Sequence, residues 1–189
     1  MPGRHEGSAF GPLQLLGGLI LLLLITGPAQ AWSPYKPRPN ALDLMETGLY
    51  WMQDYTGQYD PRDPASVVGL MEDQIGRFFD LGIMAQRVAG PRYHAGNLLQ
   101  RSHFQNRLRD RMFEILAWEF GWLDPRPPRV WMQGWGRTAI HGWQFAFHVR
   151  RPAVPSHRRI DFHVYYTPLG WRIHEVMING VPVTAMLRH

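Results

Sequence analysis

The sequence predicts an α+β fold, with N-terminal amphipathic helices packed on one face of a C-terminal four-stranded antiparallel sheet. Three observations carry that reading. Apolar residues recur at spacings of three and four from Leu42 to Phe120, the signature of helices that each bury one stripe. A Pro- and Arg-rich run over residues 124–129 then interrupts the pattern. Beyond it the apolar spacing falls to two, the period of a half-buried strand. Helices first and strands last place the helices on one face of an antiparallel sheet.

The chain opens with Arg4 in a short polar start, an apolar run over residues 13–25, a break at Thr26-Gly27-Pro28 and the small residues Ala29-Gln30-Ala31. This pattern predicts a secretory signal peptide over residues 1–31, cut after Ala31. The apolar run is short for about 30 Å of hydrocarbon. Residues 32–39 hold three prolines and read as a flexible leader. Residues 40–189 read as one domain, soluble and exported.

Asn40 is placed to cap a first helix carrying Leu42, Met45, Leu49 and Met52. A loop follows through Tyr59-Asp60-Pro61 to Pro64. Ser66 is a candidate cap for a second helix with Val67, Val68, Met71, Ile75, Phe78 and Phe79 on its apolar side. Asp80 caps a third, which carries Leu81, Met84, Ala85 and Val88 and stops at Gly90-Pro91. Residues 98–120 form the longest helical pattern, with Phe104, Leu108, Met112, Ile115, Leu116 and Phe120 along one face.

Strands are expected over residues 130–135 and 138–151, where Trp143, Phe145, Phe147 and Val149 alternate with polar or small residues. Residues 159–188 close the chain as a hairpin. Phe162, Val164 and Tyr166 form its apolar face, and Thr167-Pro168-Leu169-Gly170 has the composition of a turn. Trp171 and Ile173 resume the alternation, but Val176 and Ile178 continue it with the opposite parity. A β-bulge near His174-Glu175 keeps both pairs on one face. Asn179-Gly180 ends the strand, and Val181-Pro182-Val183 leaves it.

Composition bounds the chemistry. A hydrophobic share of 45% and eight tryptophans suffice for a sizeable core. The absence of cysteine rules out disulfides, thiol catalysis and thiolate-bound metal. A formal charge of +5 favours acidic partners such as lipid headgroups or a membrane surface. No nucleic-acid-binding signature is present, so nucleic acid is not expected as a partner. Nine histidines fall in no metal-binding spacing such as H-E-x-x-H, and no metal or other cofactor is expected. His141 and His148, seven apart on a strand, point to opposite faces. His163 and His174 can meet across the hairpin. No nucleophile elbow and no Gly-rich phosphate cradle occurs, so no catalytic residue is assigned and the chain is not expected to be an enzyme.

The terminal hairpin resembles the end of the MlaC / toluene-tolerance family, the periplasmic phospholipid-binding auxiliary components of an ABC lipid transporter. The matching residues are Tyr166, Gly170, Trp171, Glu175, Val176, Ile178, Gly180, Val181 and Arg188. Phe79-Asp80, Met84-Ala85, Ala89-Gly90, Tyr93 and Gln100 match more weakly. The resemblance spans roughly residues 40–188, and residues 124–137 and 184–186 depart from it. It implies helices backing a four-stranded sheet, related to cystatin-like and nuclear-transport-factor-like folds, with a lipid cavity between the layers. It also implies a periplasmic carrier that moves phospholipid between an outer-membrane lipoprotein–porin complex (MlaA-like) and an inner-membrane ABC transporter (MlaFEDB-like), and so maintains outer-membrane asymmetry.

On that reading the sheet offers Phe145, Phe147, Phe162, Val164, Tyr166, Trp171 and Ile173 to acyl chains. The helices offer Phe79, Met84, Val88, Leu108, Met112 and Ile115. Arg87, Arg92 and Arg150 are headgroup candidates only, each better explained singly by a solvated basic surface. Ordinary core packing accounts for any one of the apolar stripes. Two other functions fit the same pattern: an exported enzyme or binding protein for another hydrophobic small molecule, and a structural or adaptor protein with a solid core.

Overall fold

The computed structural model describes residues 39–54, 60, 62–138, 142–152 and 154–188. The expected signal peptide and leader lie outside the described residues, as do His141 and the side chains of Leu49 and Met52. Among the described residues no helix is long and apolar enough to cross a membrane.

Helix α1 (Pro39–Asp54) is followed by α2 (Pro64–Ile75), which a single turn of 3-10 helix (Gly76–Phe78) extends. The α2 start differs from the expected Ser66 cap. Asp63 accepts from the Ala65 amide at 3.0 Å, and Pro64 occupies the first helical position. Proline there has no amide to leave unpaired and a φ already set for the helix, so the chain enters helix earlier. Asp80 caps α3 (Leu81–Ala89) as expected, accepting from the Ile83 amide at 3.0 Å. Gly90 ends α3 at φ 59°, ψ −141°, a conformation closed to residues with a Cβ. It turns the chain directly into α4 (Pro91–Ala95), an element too short to show periodicity.

Helix α5 (Leu98–Phe120) keeps the expected bounds. A reciprocal capping box of Asn97 and Gln100 starts it, and Gly121 at φ 77° ends it. Gly121 is fixed twice over, because a Cβ there would lie 2.7 Å from Cγ of the buried Arg151.

The sheet has five antiparallel strands in the order β1 (Arg129–Arg137), β2 (Trp143–Arg150), β3 (His157–Thr167), β4 (Gly170–Ile178) and β5 (Val181–Pro182). Four strands were expected. The chain after Asn179-Gly180 does not leave the sheet but folds back, pairing Val181 with Ile178. This is compatible with Pro182 because β5 is an edge strand, where a missing amide is tolerated. The bulge stands where expected. Glu175 pairs with His163 and Ile173 with Val164, which leaves His174 as the extra residue. Trp171, Ile173, Val176 and Ile178 are all buried in consequence.

Helix α5 packs on β2, α1 on β1 and β4, and α3 on α5 and β4. Phe120 stacks with Phe162 at 6.3 Å between ring centres, and Phe79 meets Phe113 edge-on at 5.4 Å. Met84, Met112, Phe145 and Val164 have no exposed surface at all. These four positions belong to the buried core. Large side chains from both layers interdigitate there, as a close-packed core requires.

Candidate functional site

An open space lies at the end of the helical layer. Gly90 reverses the chain so that α4 lies beside the N-terminal half of α5. Tyr93 is buried at this corner, its hydroxyl accepting from Gln105 Nε2 and its ring 6.3 Å from that of Phe104. The C-terminal tail comes in from the other side. Helix α6 (Val183–Met186) carries Leu187 and Arg188 to the same corner.

Between these segments is a notch of about 650 Å³, within the usual range of about 300–1,000 Å³ for ligand sites. Val88, Ala89, Tyr93, Phe104 and Leu187 give it apolar walls. Arg92, Arg101, Arg107 and Arg188 give it four guanidinium groups, and no lining residue is acidic. Arg92, Arg101 and Arg107 form no ion pair among the described residues. Arg101 Nε is buried and lacks a hydrogen-bond partner among them, an arrangement that calls for a reason in a folded protein. Such a notch suits a molecule with an anionic head and an apolar body, since guanidinium binds phosphate or carboxylate through paired N–H donors.

A second polar group fixes one wall. Arg87 of α3 reaches β4 at the bulge. Its Nη1 donates to the His174 carbonyl at 2.7 Å and meets Glu175 Oε2 at 3.4 Å, and its Nη2 donates to His174 Nδ1 at 2.9 Å. Glu175, buried, also accepts from the Val176 amide at 3.1 Å and the Thr184 amide at 3.3 Å, and from the Thr184 hydroxyl. Arg188 Nε donates to the Arg87 carbonyl at 3.1 Å. One carboxylate thus joins α3, α6 and the bulge of β4, and the tail that lines the notch is held by that joint.

The histidines of the hairpin do meet, with ring centres 6.1 Å apart. Burial, then the Arg87 and His163 charges, push His174 down to about 4. Burial lowers His163, opposed by Asp161 and Glu175. Tyr165 donates to Asp80 Oδ2, and burial followed by that bond pushes its phenol up to about 12. Perturbed groups of this kind also occur in active sites. Here Asp80 caps α3 and accepts from Tyr165, and His174 Nδ1 accepts from Arg87, while His163 Nε2 is buried without a hydrogen-bond partner among the described residues. The cluster ties helices to sheet.

The residues expected to line an acyl-chain cavity divide accordingly. Val88 lines the notch. Met84 lies one helical turn inward of it, and Leu108 and Met112 lie one and two turns inward of Phe104. Phe79, Phe145, Phe147, Phe162, Val164, Trp171 and Ile173 are buried in the core, and Ile115 packs against it. Tyr166 does not join them. It is 55% exposed beside the β3–β4 turn, in edge contact with Trp171. Of the headgroup candidates only Arg92 lines the notch. Arg87 is committed to His174 and Glu175. Arg150 is exposed at the far end of β2, opposite Arg129 and His157.

Sequence reading did not single out Arg101, Arg107 or Leu187. One signal pointed to the two arginines: from residue 81 to residue 109 the chain has five arginines and no acidic residue.

No protein-family model matches the chain, and no curated protein matches it. Its structure is similar to that of a phospholipid-binding protein from Ralstonia solanacearum solved in complex with a phospholipid. The two share 15% identity at a TM-score of 0.58, over 79% of this chain and 81% of that one. The fold is shared: helices followed by an open antiparallel sheet.

Proposed function

We propose that this protein is an exported phospholipid carrier. The observation that carries the reading is the notch: apolar walls, four arginines and no acidic residue, on a fold that in the Ralstonia protein holds a phospholipid. The lipid phosphate lies against Arg92, Arg101 and Arg107. The acyl chains run past Val88 and Phe104 toward Met84, Leu108 and Met112. The thioether side chains are unbranched and adaptable, so they can give way where the core is otherwise filled. A buried methylene contributes about 0.8 kcal/mol, so one long chain contributes on the order of 10 kcal/mol before binding costs.

The resemblance to MlaC-type carriers extends the proposal. The chain is exported to the periplasm after cleavage at Ala31. There it exchanges phospholipid between an MlaA-like outer-membrane complex and an MlaFEDB-like inner-membrane ABC transporter, and it performs no covalent chemistry. Native mass spectrometry and organic extraction of protein purified without detergent test the core of this reading. The expected result is glycerophospholipid at near-stoichiometric level, falling in an Arg92→Gln/Arg101→Gln variant. Only trace lipid in several independent preparations overturns it.

A further inference from the structure

Two leucines at the start of α5 stand largely outside the core. Leu98 and Leu99 open this 23-residue helix at 79% and 68% exposure, whereas Leu108 and Leu116 of the same helix are buried. The helix start does not depend on them, since the Asn97–Gln100 capping box already satisfies its first amides. They stand directly before Gln100 and Arg101 of the notch. Around them the charge has one sign. Of the five arginines between residues 81 and 109, Arg87 is bound to Glu175 and Arg109 to Glu72. Arg92, Arg101 and Arg107 remain without an ion pair among the described residues.

We infer that the α4–α5 corner is a docking face for an anionic lipid bilayer, with Leu98 and Leu99 entering the headgroup layer and Arg92, Arg101 and Arg107 meeting lipid phosphates. Unbalanced positive charge on both sides of two adjacent exposed leucines complements a surface with phosphate outside and hydrocarbon beneath. Docking in this orientation brings the mouth of the notch to the membrane. The inference rests on the carrier reading for its purpose, but the surface stands on its own residues.

The test is flotation of the purified chain with phosphatidylcholine vesicles and with phosphatidylcholine–phosphatidylglycerol vesicles, at low and physiological salt. The wild type floats with the anionic vesicles, less so as salt rises. A Leu98→Ser/Leu99→Ser variant loses about tenfold or more in partitioning, since even part of two leucine side chains is withdrawn from the interface. An Arg92→Gln/Arg107→Gln variant loses about fivefold per arginine, together with the preference for anionic vesicles. Both variants unfold at the wild-type temperature, as exposed positions should. Equal wild-type binding to the two vesicle types, or no binding to either, overturns the inference, and the latter assigns the patch to a protein partner. Leucine-variant binding equal to wild type overturns it as well. Extracting lipid from the same preparations keeps the two readings apart. Docking without co-purified lipid leaves this inference standing and removes the carrier reading, and co-purified lipid without docking does the reverse.

Discussion

Val164→Glu tests whether the two layers are closed. Val164 lies on β3 between Trp143 of β2 and Ile173 of β4 and has no exposed surface. The Gly142 backbone approaches it closely, since a Cβ on Gly142 would fall 2.3 Å from the Val164 carbonyl oxygen. A glutamate here must take its carboxyl into a site without water. Buried glutamates respond by holding their proton, with pKa values near about 8–9. The unfolded chain, with a carboxyl pKa of about 4.3, is ionised at pH 7, so folding must bind a proton at a cost of about 3.7 kcal/mol. At pH 5 the same step costs about 1 kcal/mol. The folded-state pKa is raised, so the folded state binds more protons and stability falls as pH rises.

Overpacking adds roughly 1–3 kcal/mol at either pH, and Val164→Gln carries that part without titrating. Urea denaturation followed by tryptophan fluorescence compares the two variants. The Glu variant should be about 3.7 kcal/mol less stable than the Gln variant at pH 7, the difference shrinking by about 2.6 kcal/mol at pH 5. Total stability of a domain this size is about 5–15 kcal/mol, so the Glu variant is measurable at pH 5 even if it is largely unfolded at pH 7. Equal urea midpoints for the two variants at both pH values refute the reasoning. They would mean that water reaches Val164 and that an open cavity separates the layers.

Gly121→Ala forces a left-handed φ on alanine and drives its Cβ against Arg151; calorimetry should show a loss of about 2–4 kcal/mol. Gly136→Ala, with no atom within 4 Å of the new Cβ, should change stability by no more than about 0.5 kcal/mol. His174 is held near 4 against an ordinary 6.5, so its contribution is complete above pH 6.5 and is lost as pH falls toward 4. Melting temperatures taken across that window should fall less steeply in His174→Asn than in the wild type. Parallel slopes would show that His174 does not titrate there.

What the sequence disclosed and what it hid follow one physical distinction. Local signals were legible. The changed parity between Ile173 and Val176 located the bulge at His174, because side-chain period fixes which residues share a face. The Asp80 cap, the Gly90 stop and both bounds of α5 follow from backbone groups that only certain neighbours satisfy. Elements too short to repeat their own period were hidden. Helix α4 spans five residues and β5 two, and neither repeats often enough to show a pattern. What covers the sheet face was hidden too, because an alternating aromatic strand is the same string of residues whether helices press on it or a ligand does. The notch was hidden for a further reason. Its walls come from residues 88–107 and from Leu187 and Arg188, and they meet where Arg87 and Glu175 help to join α3 to the tail. Arg87, taken from sequence as a headgroup ligand, instead spends its donors on His174 and Glu175. The arginines left for an anion are those with no carboxylate to answer them, and the chain discloses them by the run without acid between Asp80 and Asp110. In a basic surface helix, the absence of counter-charge is therefore a better guide to a binding face than the presence of any single arginine.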